Sequence, residues 1–408
     1  MSLEWISRDG KLILGARIVR TFSYGFLSII LAIYLKLMGL NEILIGFVLT
    51  ATLVNSVIFN LFSSVYADRI GKKKMLILYA VLMVISALIF FLTNNYIALI
   101  IAALIGTINV TGSEVGVFLS LEQAILPQTV SDIKKRNSIF AIYNMVGTFA
   151  MSAGILLSGL PGILESQYGF DKIDSVKILF LFYAACAIAV IGIYLSLSKK
   201  IEIHEMQGVT YKSQKISSKS KGIIAKMSSL FAVDSFAGGF VIQSIVSLWF
   251  YSKFGADLLT LSYIFSAAGV LTALSFLLAT KIASRIGLIN TMVFTHIPSN
   301  VLLLLLAFAP TFPLAILIYL ARMGLSQMDV PTRQSYIVAI VKENERVAAA
   351  GITNTSRNVA QAVSPSLAGA VIQGLSLSAP FVVGGLLKIA YDVGIFVNFR
   401  KIKPPEEI

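Results

Sequence analysis

Cysteine, histidine and charged residues are all scarce in this sequence of 408 residues. The single cysteine, Cys186, lies in an apolar run, so no disulfide framework can form within the chain. The two histidines, His204 and His296, belong to no CxxC or HxxxH pair, and we therefore expect no metal site and no cofactor. The sequence contains no GxxxxGK(S/T) motif and no Ser-His or Cys-His arrangement in its apolar segments. These absences argue against an ATPase and against an enzyme in general.

Apolar residues dominate what is present. Charged residues make up 13% of the chain and hydrophobic residues 57%, whereas about 25% of a soluble domain is charged. A soluble fold could not cover so much apolar surface with so few charges, so the composition predicts a protein embedded in a lipid bilayer. The polar N-terminus carries Glu4, Arg8 and Lys11 and does not resemble a cleavable signal peptide.

Long apolar segments recur along the chain, and a spanning helix needs about 20 mostly apolar residues. Twelve such segments are present, six on each side of a polar, lysine-rich stretch. They cover residues 11–38, 42–66, 75–93, 96–125, 138–162, 176–197, 223–250, 257–280, 287–308, 312–340, 346–373 and 376–398. The sequence thus predicts an all-α integral membrane protein with twelve transmembrane helices in two six-helix bundles. The bundles are expected at 1–197 and 223–408, with a basic linker at 198–222.

Positive charge is concentrated in alternate loops. Lysine and arginine cluster at 69–74, at 134–136 and throughout 198–222, whereas the opposite loops hold little beyond Lys172, Lys177 and Lys253. Because cytoplasmic loops are enriched in these residues, we expect a multi-pass protein of the cell membrane with both termini in the cytoplasm. The net charge of +13 is then a topology signal, and no nucleic-acid partner is expected.

The two halves resemble each other when shifted by a little over two hundred residues. Residues 20–26 match 234–240, and residues 67–71 match 283–287. Further matches in the same order are 39–41 with 255–257, Gln123 with Gln334, and Gly159 with Gly369. Parallel six-helix repeats are a known transporter architecture with the substrate site between the halves.

The loop after the second span carries the most specific motif. It reads Ser64-Val-Tyr-Ala-Asp68-Arg69-Ile-Gly71-Lys72-Lys73-Lys74. This resembles the G-x-x-A-D-R-x-G-R-K pattern of the major facilitator superfamily, with serine in place of the usual first glycine. The resemblance implies a solute transporter that works by alternating access, with spans 1, 4, 7 and 10 lining a central cavity. It also implies that Asp68 contacts the start of span 11, near residues 346–349, and so acts in a gate.

Ionisable residues inside the spans are costly and usually face a cavity or a partner. The repeat aligns Arg20 with Asp234 and Glu122 with Arg333. We expect these four to form salt bridges, either within each half as structural pairs or crosswise as a gate. The candidates for charges of the cavity or gate are Arg17, Arg20, Glu122, Asp234, Arg322, Asp329, Arg333 and Arg357. Span 12 also contains two ionisable residues, Lys388 and Asp392, but it is not one of the four spans expected to line the cavity.

Glu114 is the candidate for proton coupling. It falls near the middle of span 4, among glycines and hydroxyl groups, where a desolvated carboxyl group could load and release a proton during transport. The alternative is a permanent pair with Arg17 or Arg322. His296 is expected to be a paired residue of span 9 rather than a ligand. The possible cavity liners are Tyr24, Tyr143, Asn144, Gln243 and Gln327.

These features favour a secondary active transporter of a small organic solute, coupled to protons and acting as a monomer. Efflux of amphipathic compounds and uptake of an organic anion both stay open, because the arginines favour anions and the buried acids favour cations or protons. Facilitated transport without proton coupling also stays open, as does a polytopic sensor that transports nothing.

Overall fold

A computed structural model describes residues 5–113, 116–130, 136–202, 217–342 and 345–402. This part of the chain is built from α-helices, with short 3₁₀ turns at Leu126–Thr129 and Lys199–Glu202. Its only β-type pairing is an isolated bridge between Ile6 and Val130. The predicted all-α class is therefore confirmed for the described residues.

The helices of the first half are α1 (Arg8–Leu37), α2 (Glu42–Ile70), α3 (Lys72–Leu92), α4 (Tyr96–Ile105), α5 (Val117–Ile125), α6 (Arg136–Leu157), α7 (Leu160–Tyr168) and α8 (Lys172–Leu195). Those of the second half are α9 (Ser218–Gly239), α10 (Gln243–Phe254), α11 (Leu258–Ile286), α12 (Leu288–Ala307), α13 (Phe312–Leu325), α14 (Asp329–Ala339), α15 (Arg346–Gly374) and α16 (Ala379–Phe399).

The chain divides into two compact units. The first contains Met1–Gln207 and Ile242–Ser266, and the second contains Gly208–Val241 and Ala267–Ile408. The first unit thus includes α10 and the start of α11, which the sequence-based division placed in the second bundle. The predicted bundle boundaries stay a prediction.

Nine helices of the described chain are long and apolar enough to cross a membrane. Spans 4, 10 and 11 of the predicted twelve do not meet that criterion. Span 11 forms the 29-residue helix α15, but polar residues such as Asn354 and Arg357 lower its hydropathy. Spans 4 and 10 are divided, the first into α4 and α5 and the second into α13 and α14. The helices at 96–125 and 312–340 are therefore interrupted rather than continuous.

The repeat is visible in the turns of the backbone. Gly71, between α2 and α3, and its sequence match Gly287, between α11 and α12, both have positive φ, at 100° and 86°. Gly39 and Gly255, which match as well, also have positive φ and follow the ends of α1 and α10. Glycine adopts this region without the steric cost that a Cβ imposes, so the same residue type serves the same turn in each half.

Two helix crossings repeat in the same way. A Cβ on Gly25 of α1 would collide with the backbone oxygen of Met151 in α6. A Cβ on Gly239 of α9 would collide with the side chain of Ser364 in α15. Gly25 and Gly239 occupy equivalent positions in the repeat. Each unit therefore brings its first spanning helix into close contact with its fifth through a glycine.

Candidate functional site

A buried ion pair lies at the centre of the first unit. Arg20 of α1 donates two hydrogen bonds to Glu122 of α5, from Nη1 to Oε1 at 2.9 Å and from Nη2 to Oε2 at 2.7 Å. Both side chains are 0% exposed. This bidentate geometry is the strongest form of an arginine–carboxylate contact. Of the two pairings predicted for these residues, the structure has the one within a single half.

Aromatic residues complete the shell around this pair. Tyr143 of α6 and Tyr194 of α8 each donate a hydroxyl hydrogen bond to the Glu122 carboxylate at 2.6 Å. The Arg20 guanidinium also lies 4.5 Å from the ring centre of Phe118. We call these five residues the Arg20–Glu122 cluster. Its carboxylate oxygens are all hydrogen-bonded and its charges cancel, which is typical of a fixed structural element.

Asp234 of α9 is the centre of a larger network in the second unit. Its Oδ1 accepts a hydrogen bond from Lys388 Nζ of α16 at 2.6 Å. Its Oδ2 accepts from Arg357 of α15 at 3.2 Å and from Arg333 of α14 at 3.4 Å. Arg333 also donates to Asp329 at 2.5 Å. The expected pair of Asp234 and Arg333 is thus present within one half, but it is longer than the contacts to the other two cations.

A second carboxylate lies at the edge of this network. Asp392 of α16 contacts His296 of α12 through Oδ1 and Nδ1, at 2.7 Å. Its Oδ2 accepts a hydrogen bond from Asn300 at 2.9 Å. The other ring nitrogen of His296 lies 4.0 Å from Oδ1 of Asp234. Asp392 forms no ion pair with a lysine or arginine in the described chain. The Asp234 network, as we define it, comprises Asp234, His296, Asn300, Asp329, Arg333, Arg357, Lys388 and Asp392.

Arg322 of α13 is in a different position from the other buried arginines. It is 9% exposed and forms no ion pair with any carboxylate that the structure describes. Its Nη1 lies 3.5 Å from the sulfur of Met323, and its Nε has no hydrogen-bond partner. It lies one turn before the interruption of span 10 at Ser326–Met328. A buried cation without a counter-charge is costly, so an anion at this place would be stabilised.

The interruption of span 4 is lined by polar groups. Asn109 accepts a hydrogen bond from the Thr111 backbone at 2.9 Å and donates to the Ser113 carbonyl at 2.6 Å. Gly112 has a φ of 77° and lies against Gln243 of α10. Glu114, predicted to couple protons, falls outside the described residues, and its role stays a prediction.

The other predicted cavity residues have varied surroundings. Arg17 donates from Nε to the Tyr143 carbonyl at 2.8 Å and stacks on that ring. Tyr24 is buried and bonded to Thr107 at 3.2 Å, and Gln243 donates to Ser28 at 2.9 Å. Asn144 is exposed and Gln327 is half-buried in the turn before α14.

The motif between α2 and α3 is organised by a residue outside it. The carboxylate of Glu202 accepts the backbone N–H groups of Lys72 and Lys73 at 2.7 and 2.8 Å. It thereby caps α3, where a negative charge complements the helix dipole. Lys73 Nζ donates to the carbonyls at the end of α8. Ser64 and Arg69 are exposed, whereas the Asp68 side chain is outside the described residues and its gate contact stays a prediction.

Several contributors to these sites were not among the residues expected to line the cavity or gate, and Lys388, Asp392 and Glu202 are among them. Lys388 and Asp392 lie in span 12, which is not one of the four expected cavity helices. Two ionisable residues four positions apart in an apolar span were nevertheless a usable signal. Glu202 was missed because it lies in the predicted linker, and no local pattern marks it as the cap of a distant helix.

Comparisons with known proteins agree with this architecture. The Major Facilitator Superfamily matches residues 13–297 and 227–408 of the chain. An uncharacterized membrane protein of Saccharomyces cerevisiae, YJR124C, is 27% identical over 417 residues, covering 95% of this chain and 93% of the yeast protein.

Solved structures show the same fold. The nucleoside transporter NupG has a TM-score of 0.72 at 15% identity, with 96% of this chain and 99% of that chain covered. A D-xylose–proton symporter has a TM-score of 0.74 at 15% identity, with 95% and 96% covered. The human organic anion transporter MFSD10 (TETRAN) has a TM-score of 0.61 at 13% identity, with 95% and 99% covered. The chain is thus a multi-pass membrane protein with a transporter fold, and it belongs to the major facilitator superfamily.

Proposed function

We propose that this protein is a secondary active transporter that moves a small organic solute by alternating access and couples that movement to protons. The observation that carries the proposal is the interruption of spans 4 and 10, which are equivalent in the repeat. In transporters built from repeats, paired helix interruptions point to the substrate site, because free backbone groups there can bind a solute. The polar groups of Asn109 and Thr111 at one interruption fit that role.

The buried ionic residues support active transport. The second unit places the acids and bases of the Asp234 network in apolar surroundings, at a cost that a purely structural membrane protein does not require. One of the structural neighbours is a D-xylose–proton symporter. That neighbour supports a solute site and proton coupling on the same fold, although its sequence is too distant to transfer a substrate.

Arg322 favours an organic anion as the solute. The other described arginines of the Asp234 network and of the Arg20–Glu122 cluster have carboxylate partners, whereas Arg322 has none among the described residues. A guanidinium matches carboxylates and phosphates by paired hydrogen bonds. The neighbour MFSD10, an organic anion transporter with the same fold, supports this choice. Transport of an organic anion is therefore the specific form of the function that we favour.

A thermal-shift screen of the purified protein at two pH values tests the proposal first. Anionic, neutral and cationic solutes are compared, and any solute that stabilises the protein is then measured for flux into proteoliposomes. We expect carboxylates or phosphate esters to stabilise the protein and to be transported. Flux no greater than in protein-free vesicles, for solutes that do bind, would favour a sensor over a transporter.

Substitution of Arg322 sharpens this test. Arg322→Gln should weaken binding of the stabilising anion by about tenfold to a hundredfold, the amount expected for loss of a hydrogen bond to a charged group. Arg285→Gln is the matched control, since Arg285 is exposed at the end of α11. Equal binding in the two variants would remove the support for an anion site at Arg322.

A further inference from the structure

His296 is the member of the Asp234 network whose ordinary titration range lies near neutral pH. It is 3% exposed, and a carboxylate lies opposite each of its ring nitrogens. Asp392 contacts Nδ1 at 2.7 Å, and Asp234 lies 4.0 Å from Nε2. In a doubly protonated imidazolium, both N–H groups would point at a carboxylate.

The fixed charges are distributed unequally on the two sides of the ring. Asp234 has two close cations, Lys388 and Arg357, and the longer contact with Arg333. Asp392 has His296 and the Asn300 amide, with no lysine or arginine ion pair in the described part of the chain. Among the described residues, the cation that can compensate the buried Asp392 charge by direct contact is therefore a protonated His296.

We propose that His296 and Asp392 form a proton-binding site of the second unit, and that the proton held there is the one coupled to transport. This rests on the proposed function for the coupling step, whereas proton binding itself stands on the geometry alone. When the proton leaves, the lone pair of Nε2 faces the Asp234 carboxylate. The Lys388 ammonium contacts the same Asp234 oxygen, Oδ1, at 2.6 Å. Loss of the proton therefore removes one positive charge from beside Asp234 and changes the electrostatic balance of the Lys388–Asp234 contact between α16 and α9.

A change of charge at His296 also affects α15. Asp234 accepts a hydrogen bond from Arg357 of that helix, and α9 and α15 cross closely at Gly239. A change in the charge around Asp234 therefore alters the contacts of three helices, α9, α15 and α16, at once. The Arg20–Glu122 cluster of the first unit has no comparable feature, because its carboxylate is compensated by a permanently charged arginine.

The helices around His296 carry other charged and polar groups. Its own helix α12 contributes Asn300, and α9, α13, α14 and α16 contribute the rest. Helix α13 also packs on α12 and carries one charged residue, Arg322. The groups to be considered are Asp234, Asn300, Arg322, Asp329, Arg333, Lys388, Tyr391 and Asp392, of which Tyr391 packs edge-on against the imidazole.

The chain has only two histidines, which makes a direct measurement possible. In full-length His204→Gln protein, selectively labelled with ¹⁵N-histidine, side-chain NMR reports the charge and tautomer of His296 alone. The protein is titrated from about pH 5 to pH 9, and we expect the ring to take up and release its second proton reversibly within that range. A ring that stays neutral, or one that never releases its proton across this range, would overturn the proposal.

Two variants in this background should shift the midpoint in opposite directions. Asp392→Asn removes the carboxylate opposite Nδ1 and should lower the midpoint by about one pH unit, a tenfold loss of proton affinity. Lys388→Gln removes a nearby cation and should raise it. Asp257→Asn, an exposed acid between α10 and α11, is the control and should leave it unchanged. Shifts of the same sign in the first two variants, or no shift, would contradict the proposal. Should either variant fail to fold, the titration of the His204→Gln protein alone still decides proton binding.

Coupling is tested separately from proton binding. In proteoliposomes, His296→Gln should retain exchange of a transported solute at equal pH and lose its accumulation in a pH gradient. Gradient-driven accumulation at the wild-type rate would assign coupling to another group. The NMR titration needs no solute, so a protein that binds the proton but moves no solute would refute the proposed function and leave the site in place.

Discussion

Removal of the negative charge from the Arg20–Glu122 cluster should destabilise the protein strongly. Glu122→Gln preserves the size of the side chain but leaves the Arg20 guanidinium buried, with 0% exposure, and without a counter-charge. It also weakens the hydrogen bonds that Tyr143 and Tyr194 donate at 2.6 Å. Loss of one partner from a buried pair costs about 3–5 kcal/mol, because an uncompensated charge remains.

The assay is reversible unfolding in detergent with increasing denaturant, from which the free energy of unfolding is obtained. Glu42→Gln is the matched control, because the Lys36–Glu42 pair is partly exposed, with side-chain exposures of 39% and 22%. An exposed pair contributes under about 1 kcal/mol. Glu122→Gln should therefore lower the free energy of unfolding several times more than Glu42→Gln.

A double substitution separates the uncompensated charge from the lost contact. Arg20→Gln combined with Glu122→Gln removes both charges and leaves neutral groups that can still hydrogen-bond. The double variant should be more stable than Glu122→Gln, because no uncompensated charge stays buried. Its loss of stability should fall short of the sum of the two single losses by about 0.5–3 kcal/mol, the range of coupling energies for residues in contact. If the two single losses simply add, or if Glu122→Gln behaves like the surface control, the uncompensated charge is not the cause.

Three further outcomes are expected from local geometry. Gly25→Ala should prevent the close crossing of α1 and α6 and lower the free energy of unfolding by more than about 2 kcal/mol. Gly15 lies in the same helix with open space around it, so the control Gly15→Ala should be neutral or stabilising by up to about 1 kcal/mol. Both effects are measured by denaturant unfolding. Glu202→Gln should weaken the cap of α3 by about 1 kcal/mol and speed hydrogen exchange in the first turn of that helix. Glu165→Gln is the control, and unchanged exchange in Glu202→Gln would exclude the capping role. Burial raises the pKa of Asp257, but hydrogen bonds from the first turn of α11 outweigh it and hold that pKa below its usual value. The stabilisation that Asp257 contributes is therefore complete above the ordinary aspartate pKa and is lost as the pH falls through the lower pKa of the folded protein. Hydrogen exchange in the first turn of α11 should accordingly become faster in acid, and Asp257→Asn should abolish this dependence on pH.

The parts of the structure that depend on composition and local chemistry could be predicted from the sequence. The length of the apolar segments indicated the spans, and the repeat paired Gly71 with Gly287, which have positive φ in equivalent turns of the structure. The alignment of Arg20 with Asp234 and of Glu122 with Arg333 names residues that lie at the ionic centres of both units. These features depend on periodicity, charge and steric freedom, which a single sequence displays.

Tertiary contacts account for what the sequence did not reveal. The breaks in spans 4 and 10 lie in polar stretches, at 106–116 and 326–328, through which the sequence-based spans were drawn as continuous helices. At the first break the Thr111 N–H and the Ser113 carbonyl are hydrogen-bonded to Asn109, a contact that hydropathy does not reveal. The partnership of His296 and Asp392 joins residues 96 positions apart in sequence. Glu202 caps a helix 130 residues away. Pairings over such distances are set by packing, which hydropathy does not encode.

Solute flux under a pH gradient tests proton-coupled transport most directly. Purified protein in sealed proteoliposomes is given a solute that stabilises it, with and without an imposed gradient and with a protonophore as control. We expect saturable movement of the solute that the gradient drives beyond equilibrium and that the protonophore reduces to simple equilibration. A bound solute that crosses no faster than in protein-free vesicles would contradict transport, and flux indifferent to the gradient would contradict proton coupling.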